Sequence, residues 1–395
     1  MMKLHEAVSF MIDSSIYMKK NGKNYNIFYI VDLPGAGKTS MIMEECKKRG
    51  YGFLSFSPAL ERYERFGGIP EIFKDGTDLR TEWSIPEFIY KINDESKKFK
   101  DSYVFVLLDD WHLANEDIQA IGFELFTYYK LNDKKINNNV IFCLAGNFST
   151  EAGMKIPLSA ITNRLNVLKT KADLNYWIRH YADKHINYDL GVSFLKYHEN
   201  YFQEKESPEP FGSPRSWTSV FNLFKFMEDS KHPSIMAYDE DMNAVVSEDA
   251  MRDILLGHVS EKASADFMLF YNNYKSFNME KIFLTGEFTI PGNNLKKFCF
   301  ISGATDYILR EYKDVTKNID IIKKEDIYKY EVFMKIVETM WKDNPEITLG
   351  VVSGILNREF GKDMLYLCRR NGIFSDKFLK EIGQKNSVIN KFLSK

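Results

Sequence analysis

Three runs of apolar residues read as strands buried on both faces, without the polar alternation of a half-exposed sheet. They are Ile27-Phe28-Tyr29-Ile30-Val31, Tyr103-Val104-Phe105-Val106-Leu107-Leu108 and Val140-Ile141-Phe142-Cys143-Leu144-Ala145-Gly146, the last stopping at Asn147. A weaker run, Tyr51–Ser57, predicts a further strand. Between these runs the apolar spacing changes to a helical period over Met41–Lys48, Glu87–Lys98 and Glu116–Leu131, with an Asn-rich turn at 132–139. Strands alternating with helices predict a parallel, doubly wound α/β sheet. Residues Met1–Lys20 predict an amphipathic helix ahead of the first strand. Glu6 and Asp13 interrupt its apolar residues, so it does not read as a signal peptide. Residues 58–102 are mixed, and the punctuations Gly67-Gly68-Ile69-Pro70 and Trp83-Ser84-Ile85-Pro86 predict ordered loops around the Glu87–Lys98 helix.

From about Asp173 onward helical periodicity takes over, over Leu174–Asp183, Val192–Phe202, Arg215–Met227, Glu248–His258 and Ala263–Tyr274. The remainder is mostly helical, with a short hairpin expected near Ile282–Phe300. The expected organisation is an α/β core over 1–170, a helical domain over 171–275 and a mostly helical extension over 276–395. There is no internal repeat.

Composition narrows the class. The 395 residues are 44% apolar and 15% aromatic, enough core for about two to three domains. Fifty-three basic residues against 55 acidic ones leave a net charge of −2, which argues against a nucleic-acid coat protein while allowing a local basic channel. Lys47-Lys48-Arg49, Lys97-Lys98-Phe99-Lys100 and Lys323-Lys324 read as solvated faces diluted by acids. Cys46, Cys143, Cys299 and Cys368 lie far apart and read as reduced core thiols of a cytoplasmic protein. The seven histidines form no metal-binding pair, and His112 reads as a loop residue. No apolar stretch approaches the roughly 18 residues that span a bilayer.

The chemistry begins directly after the first strand, at Leu33-Pro34-Gly35-Ala36-Gly37-Lys38-Thr39-Ser40. A strand, a glycine loop, Lys-Thr and then a helix is the order that wraps nucleotide phosphates. Loop amides and the helix N-terminus face the anion, Lys38 reaches the β- and γ-phosphates, and the Thr39 hydroxyl sits on Mg²⁺. Pro34 through Ser40 are therefore the candidate ATP-binding residues. Asp32 occupies the place of the pattern's first glycine. A carboxylate aimed at phosphate would repel it, so Asp32 is expected to turn away and accept hydrogen bonds from loop amides. The second strand ends in Asp109-Asp110, where an open α/β sheet binds ligands. Asp109 is the candidate Mg²⁺ anchor and Asp110 the candidate group that polarises the attacking water.

With these pieces assembled, the chain resembles MoxR-type AAA+ ATPases, in particular the MoxR-like branch found in phages and their bacterial hosts. The resemblance covers roughly residues 5–275. It rests on the order of Pro34–Thr39, Gly67-Gly68-Ile69-Pro70, Leu108-Asp109-Asp110, Ala145-Gly146-Asn147, Thr162-Asn163-Arg164-Leu165 and Ser213-Pro214-Arg215-Ser216-Trp217. It implies a P-loop AAA+ core followed by an α-helical lid over 171–275. Asn147 would be the polar sensor that holds water and γ-phosphate together. Arg164 would be a finger reaching a neighbouring subunit's γ-phosphate, and Arg215 a second sensor on the lid, with Trp177 and Trp217 as packing residues. It further implies Mg²⁺-ATP hydrolysis, a ring, most simply a hexamer, and a protein client that in this family often carries a von Willebrand factor A domain. Asp110 stands where most of the family carries glutamate, one methylene longer. Two other readings remain open: a nucleic-acid-associated AAA+ motor for replication, clamp loading or packaging, and a ring that nucleotide organises with little turnover. No role is implied for 276–395.

Overall fold

The computed structural model describes the chain apart from residues 24–25, 148–163, 187, 206, 231–235, 239–243, 316–323, 357, 359–360, 371, 374–375 and 386–395. It forms two compact units, Met1–Asp173 and Leu174–Lys395.

The first unit is built on six parallel strands: β1 (Met2–Lys3), β2 (Ile27–Asp32), β3 (Gly52–Phe56), β6 (Val104–Leu108), β9 (Val140–Asn147) and β10 (Leu165–Lys171). Their order across the sheet is β1-β10-β2-β9-β6-β3. Every residue of β2 and β6 is buried, and every residue of β9 except Asn147. The pleat sends alternate side chains to opposite faces. On one face Phe28, Ile30, Phe105, Leu107, Ile141 and Cys143 pack against α1 (Leu4–Lys20) and α2 (Lys38–Lys48) through Val8, Met11, Ile12 and Ile42. On the other, Tyr29, Val31, Val106, Leu108, Phe142 and Leu144 meet α4 (Glu87–Lys98) and α5 (Glu116–Tyr128) through Ile89, Ile92, Ile118 and Leu125. Full burial of each such side chain is worth on the order of 1.5–3 kcal/mol, so the two-faced pattern itself drives the layering. Arg49 ties the two helices of the first face together, pairing with Asp13 and with Glu45 at 2.7 Å.

Between the strands of this sheet, two features depart from the sequence expectation. Within 58–102 a short helix, α3 (Tyr63–Gly67), leads into an antiparallel hairpin of β4 (Pro70–Asp75) and β5 (Asp78–Trp83). The two punctuations seen in the sequence bracket its neck, where Ser84 N–H donates to Ile69 O at 2.8 Å and Ile69 N–H donates to Ser84 Oγ at 2.8 Å. Gly68 makes this approach possible: its φ is +89°, and a Cβ there would lie 2.1 Å from the Ser84 carbonyl oxygen. The strands escaped the sequence reading because every β5 side chain is exposed, so burial imposed no apolar alternation. Helix α5 also ends at Tyr128, and a small hairpin follows, β7 (Lys130–Leu131) with β8 (Lys134–Lys135). The Asn-rich turn holds α4 through Asn93, whose amide donates to Lys135 O at 2.9 Å and accepts from Asn137 N–H at 3.0 Å.

Among its described residues the second unit is helical apart from a two-stranded ribbon, Met236–Tyr238 with Ala244–Val246. The first predicted helix runs as Leu174–Trp177 and continues as a π-helical stretch, Ile178–Ile186; the second is Asp189–Tyr197 followed by a 3₁₀ turn at Glu199–Tyr201. No hairpin forms at 282–300: this segment enters the helices Met279–Thr285 and Asn294–Val315. Buried Phe298, Cys299, Phe300 and Ile301 gave a strand-like run, but they line a long helix packed on most of its circumference. Trp217 is fully buried and donates from Nε1 to Tyr201 O at 2.7 Å, with the rings of Phe194 and Phe221 tilted against it.

Residues from 171–275 and from 276–395 meet at a buried guanidinium. Arg358 pairs with Asp306 at 3.0 Å, with Asp189, and with Asp183 at 2.9 Å. The Asp183 contact is close enough for an ion pair but out of line for a hydrogen bond. Burial, with Asp189 adding to it, pushes the Asp306 carboxyl up to about 6, against the pull of Arg358.

Candidate nucleotide site

The site lies at the C-terminal ends of β2, β6 and β9. After β2 the chain turns through Pro34-Gly35-Ala36-Gly37, with Ala36 N–H donating to Leu33 O at 3.4 Å. Gly37, in the left-handed region at φ +89°, begins α2, and no side chain caps that helix. The first amides of α2, from Lys38, Thr39 and Ser40, therefore present the partial positive charge of a helix N-terminus. That arrangement fits a phosphate group.

Lys38 is buried, and its ammonium donates to Asn147 Oδ1 at 2.7 Å, Leu33 O at 3.1 Å and Asp32 O at 3.4 Å. Thr39 Oγ donates to Asp109 Oδ2. Asp109 is itself fixed: its N–H donates to Phe56 O at 2.8 Å, and its Oδ1 accepts the Asp110 N–H at 3.0 Å. A hydroxyl held by a carboxylate at the foot of a phosphate loop is a donor set that suits Mg²⁺, through hard oxygen ligands. Asp110 takes a left-handed conformation, φ 50°, at the start of the 3₁₀ turn Trp111–Leu113. Non-glycine residues seldom adopt this region, although Asp does so more readily than most.

Asp32 faces away from the phosphate side. One carboxylate oxygen accepts the Leu33 N–H at 2.7 Å and the other accepts the Thr170 hydroxyl at 2.7 Å. The loop amide was expected. Thr170 was not, because only the parallel pairing of β10 with β2 brings it there.

Arg164 immediately precedes β10, and its carbonyl accepts the Ile27 N–H at 2.9 Å. Thr162 and Asn163 lie outside the described residues, as do Phe148, Ser149 and Thr150 after the sensor position. Arg215 belongs to the second unit. It is exposed in the first turn of helix Pro214–Ser230, which Ser213 Oγ caps by accepting the Ser216 N–H at 3.1 Å.

Two residues at the site were not anticipated. His112, expected in a loop, lies in the turn Trp111–Leu113 but is buried, and its Nδ1 accepts the Asn147 N–H at 3.4 Å. Burial holds its pKa below the ordinary value; Asp110 opposes this and Lys38 adds to it. The Tyr29 hydroxyl is also buried, with no hydrogen-bond partner among the described residues; burial and the Asp110 charge push it upward. His112 follows the acidic pair by a single Trp, and Trp111 is fully buried whereas Leu113 on its other side is exposed. The bulky apolar Trp was the available sign of a turn folded back onto the core.

A parallel sheet in which one strand separates the phosphate-loop strand from the acidic strand, with both motifs at the strand ends, is a P-loop α/β core. No helix among the described residues is long and apolar enough to cross a membrane. No protein-family model matches the sequence, and no curated protein matches it. Among solved structures it is similar to two single-residue mutants of RuvB from Thermotoga maritima. One is 10% identical, over 72% of this chain and 77% of that one; the other is 12% identical, over 79% and 91%; both have a TM-score of 0.32. So loose a superposition carries no argument, and the class rests on the strand order and the phosphate loop.

Proposed function

We propose that the chain is an Mg²⁺-dependent ATPase of the MoxR-like AAA+ type, acting as a ring, most simply a hexamer, that remodels or assembles a protein partner. The observation that supports the chemistry is the convergence of Lys38, Thr39, Asp109 and Asn147 at the uncapped start of α2. Residues 1–170 act as the motor core and 171–275 as its lid.

In this reading the loop amides and Lys38 bind the phosphate oxygens. Thr39 and Asp109 hold Mg²⁺, which when bound neutralises charge on the β- and γ-phosphates. Asp110 accepts a proton from the attacking water while the Asn147 amide orients it. The water oxygen bonds to the γ-phosphorus, the bond to the β-phosphate oxygen breaks, and ADP leaves with the electron pair. Arg164 of one subunit stabilises the charge at its neighbour's site, and Arg215 couples loss of γ-phosphate to lid movement. A client with a von Willebrand factor A domain is the partner class that the family resemblance favours.

The test is phosphate release from ATP by the full chain, with and without Mg²⁺, beside Asp110→Asn. Turnover should require Mg²⁺ and vanish in Asp110→Asn, while labelled ATP still binds. No ATP binding, or equal turnover in Asp110→Asn, overturns the reading. Stimulation by DNA or RNA that falls with salt would instead favour a nucleic-acid motor.

A further inference from the structure

At its C-terminal end strand β9 runs past one of its two neighbours. It pairs with β6 only as far as Leu108 opposite Leu144, but with β2 as far as Asp32 opposite Asn147. Beyond Leu144 it therefore has a strand on one side alone. On the other side the chain leaving β6 has turned through Asp109 and Asp110 into the turn Trp111–Leu113. A backbone N–H pointing to that side meets no strand carbonyl and takes another acceptor. His112 supplies one, with Nδ1 3.4 Å from the Asn147 nitrogen. The bond requires a neutral ring with its proton on Nε2.

A second observation is independent of that hydrogen bond. A Cβ on Gly146 would lie 3.0 Å from His112 Nδ1 and 2.2 Å from the Tyr29 hydroxyl. The residue before Asn147 thus lacks a side chain where the imidazole and the phenol close against the strand. Trp111 anchors the turn from the other direction: it is fully buried, and its ring lies against Gly122 of α5.

We propose that His112 is a positioning residue for Asn147, fixing the sensor's backbone from one side while Lys38 engages its amide oxygen from the other. Asp109, Asp110 and His112 then belong to one turn, which sets the metal anchor, the water-polarising carboxylate and the sensor together. The inference rests on the reading of Asn147 as the sensor.

The test compares steady-state ATP hydrolysis and ATP-analogue binding in the full chain for His112→Phe, His112→Asn, Asn147→Ala and the double variant His112→Phe/Asn147→Ala. Phenylalanine keeps the ring shape without the acceptor, and an asparagine amide oxygen can occupy the place of Nδ1. His112→Phe should lower kcat by about three- to tenfold, the worth of one hydrogen bond, with affinity for the analogue unchanged. His112→Asn should restore most of the rate. The double variant should be no slower than Asn147→Ala, because both changes act through one group. If His112→Phe does not fold, His112→Leu replaces it, with hydrogen exchange at the Asn147 amide as the readout. That amide should be protected in the parent and in His112→Asn, and should exchange faster in His112→Leu. Parental kcat in His112→Phe beside a slowed Asn147→Ala overturns the proposal, as do independent, multiplying losses in the double variant. Parental kcat in Asn147→Ala overturns the sensor reading itself.

Discussion

Lys38 and Asn147, 109 positions apart in sequence, meet with Nζ 2.7 Å from Oδ1. An oxygen bound at the Lys38 ammonium is therefore within reach of the Asn147 amide, so in the proposed reading phosphate binding and phosphate sensing would share one contact. The pairing depends on β2 and β9 lying side by side and ending in register, Asp32 opposite Asn147.

Lys38→Ala removes the ammonium and should abolish tight ATP binding, as measured by titration with labelled nucleotide. Thr39→Ala and Asp109→Ala should each keep weak binding but lose its Mg²⁺ dependence. Unchanged affinity in Lys38→Ala would place the phosphates elsewhere.

Asp32→Gly restores the glycine of the phosphate-loop pattern and tests which way the carboxylate acts. It removes the bonds to Leu33 and Thr170, so unfolding stability should fall by about 1–3 kcal/mol. ATP affinity should stay level or rise slightly, since a negative charge near the loop is lost. Loss of ATP binding in a folded variant would mean that the carboxylate shapes the loop for nucleotide.

If Arg164 serves a neighbouring site, Arg164→Ala and Asp110→Asn should each be inactive alone and regain some turnover when mixed. A mixed interface can unite an intact Asp110 with an intact Arg164. Arginine fingers of this kind, supplied to GTPases in cis or by an activating partner protein, contribute on the order of 10³–10⁵ in rate. Turnover per subunit should also rise with protein concentration. A concentration-independent rate with no rescue on mixing would remove both the finger and the ring.

Arg358→Leu should destabilise the second unit by about 3–5 kcal/mol, because it removes the guanidinium from buried Asp183 and Asp306 and from half-buried Asp189. The loss should be smaller at pH 5 than at pH 7. Asp306 already titrates near 6, above an ordinary aspartate, and losing its cation raises it further. A carboxyl raised in the folded state contributes stability below its unfolded pKa and loses it as pH rises through the folded value. Lys196, beside the same carboxylates, is lowered by burial and by Arg358 only to about 8, so it stays mostly charged across this window. Urea unfolding at both pH values measures the difference, and equal losses would show that Asp306 does not titrate in the cluster.

Legibility followed the range of the interaction. The β2, β6 and β9 runs were readable because strands buried on both faces must be apolar at every position, a constraint written into neighbouring residues. The phosphate loop was readable for a similar reason: glycines, Lys38 and Thr39 must follow the strand at fixed spacing to form it. The β4–β5 hairpin left little pattern, because its side chains are largely in water and its neck depends on Asn132, whose amide donates to Gly67 O at 2.7 Å and Ser84 O at 3.0 Å.

By itself, then, the sequence determined the alternating strands and helices, the phosphate loop and the acidic strand end, since local periodicity and spacing specify each. The tertiary structure alone decided where Asp32 points, that His112 completes the hydrogen bonding of β9, and that Arg358 draws three aspartates from three helical segments. Each of these is a contact between residues whose separation in the chain carries no periodic signal. Burial supplies the reason they form, because a polar group removed from water must find its partner wherever the fold brings one within reach.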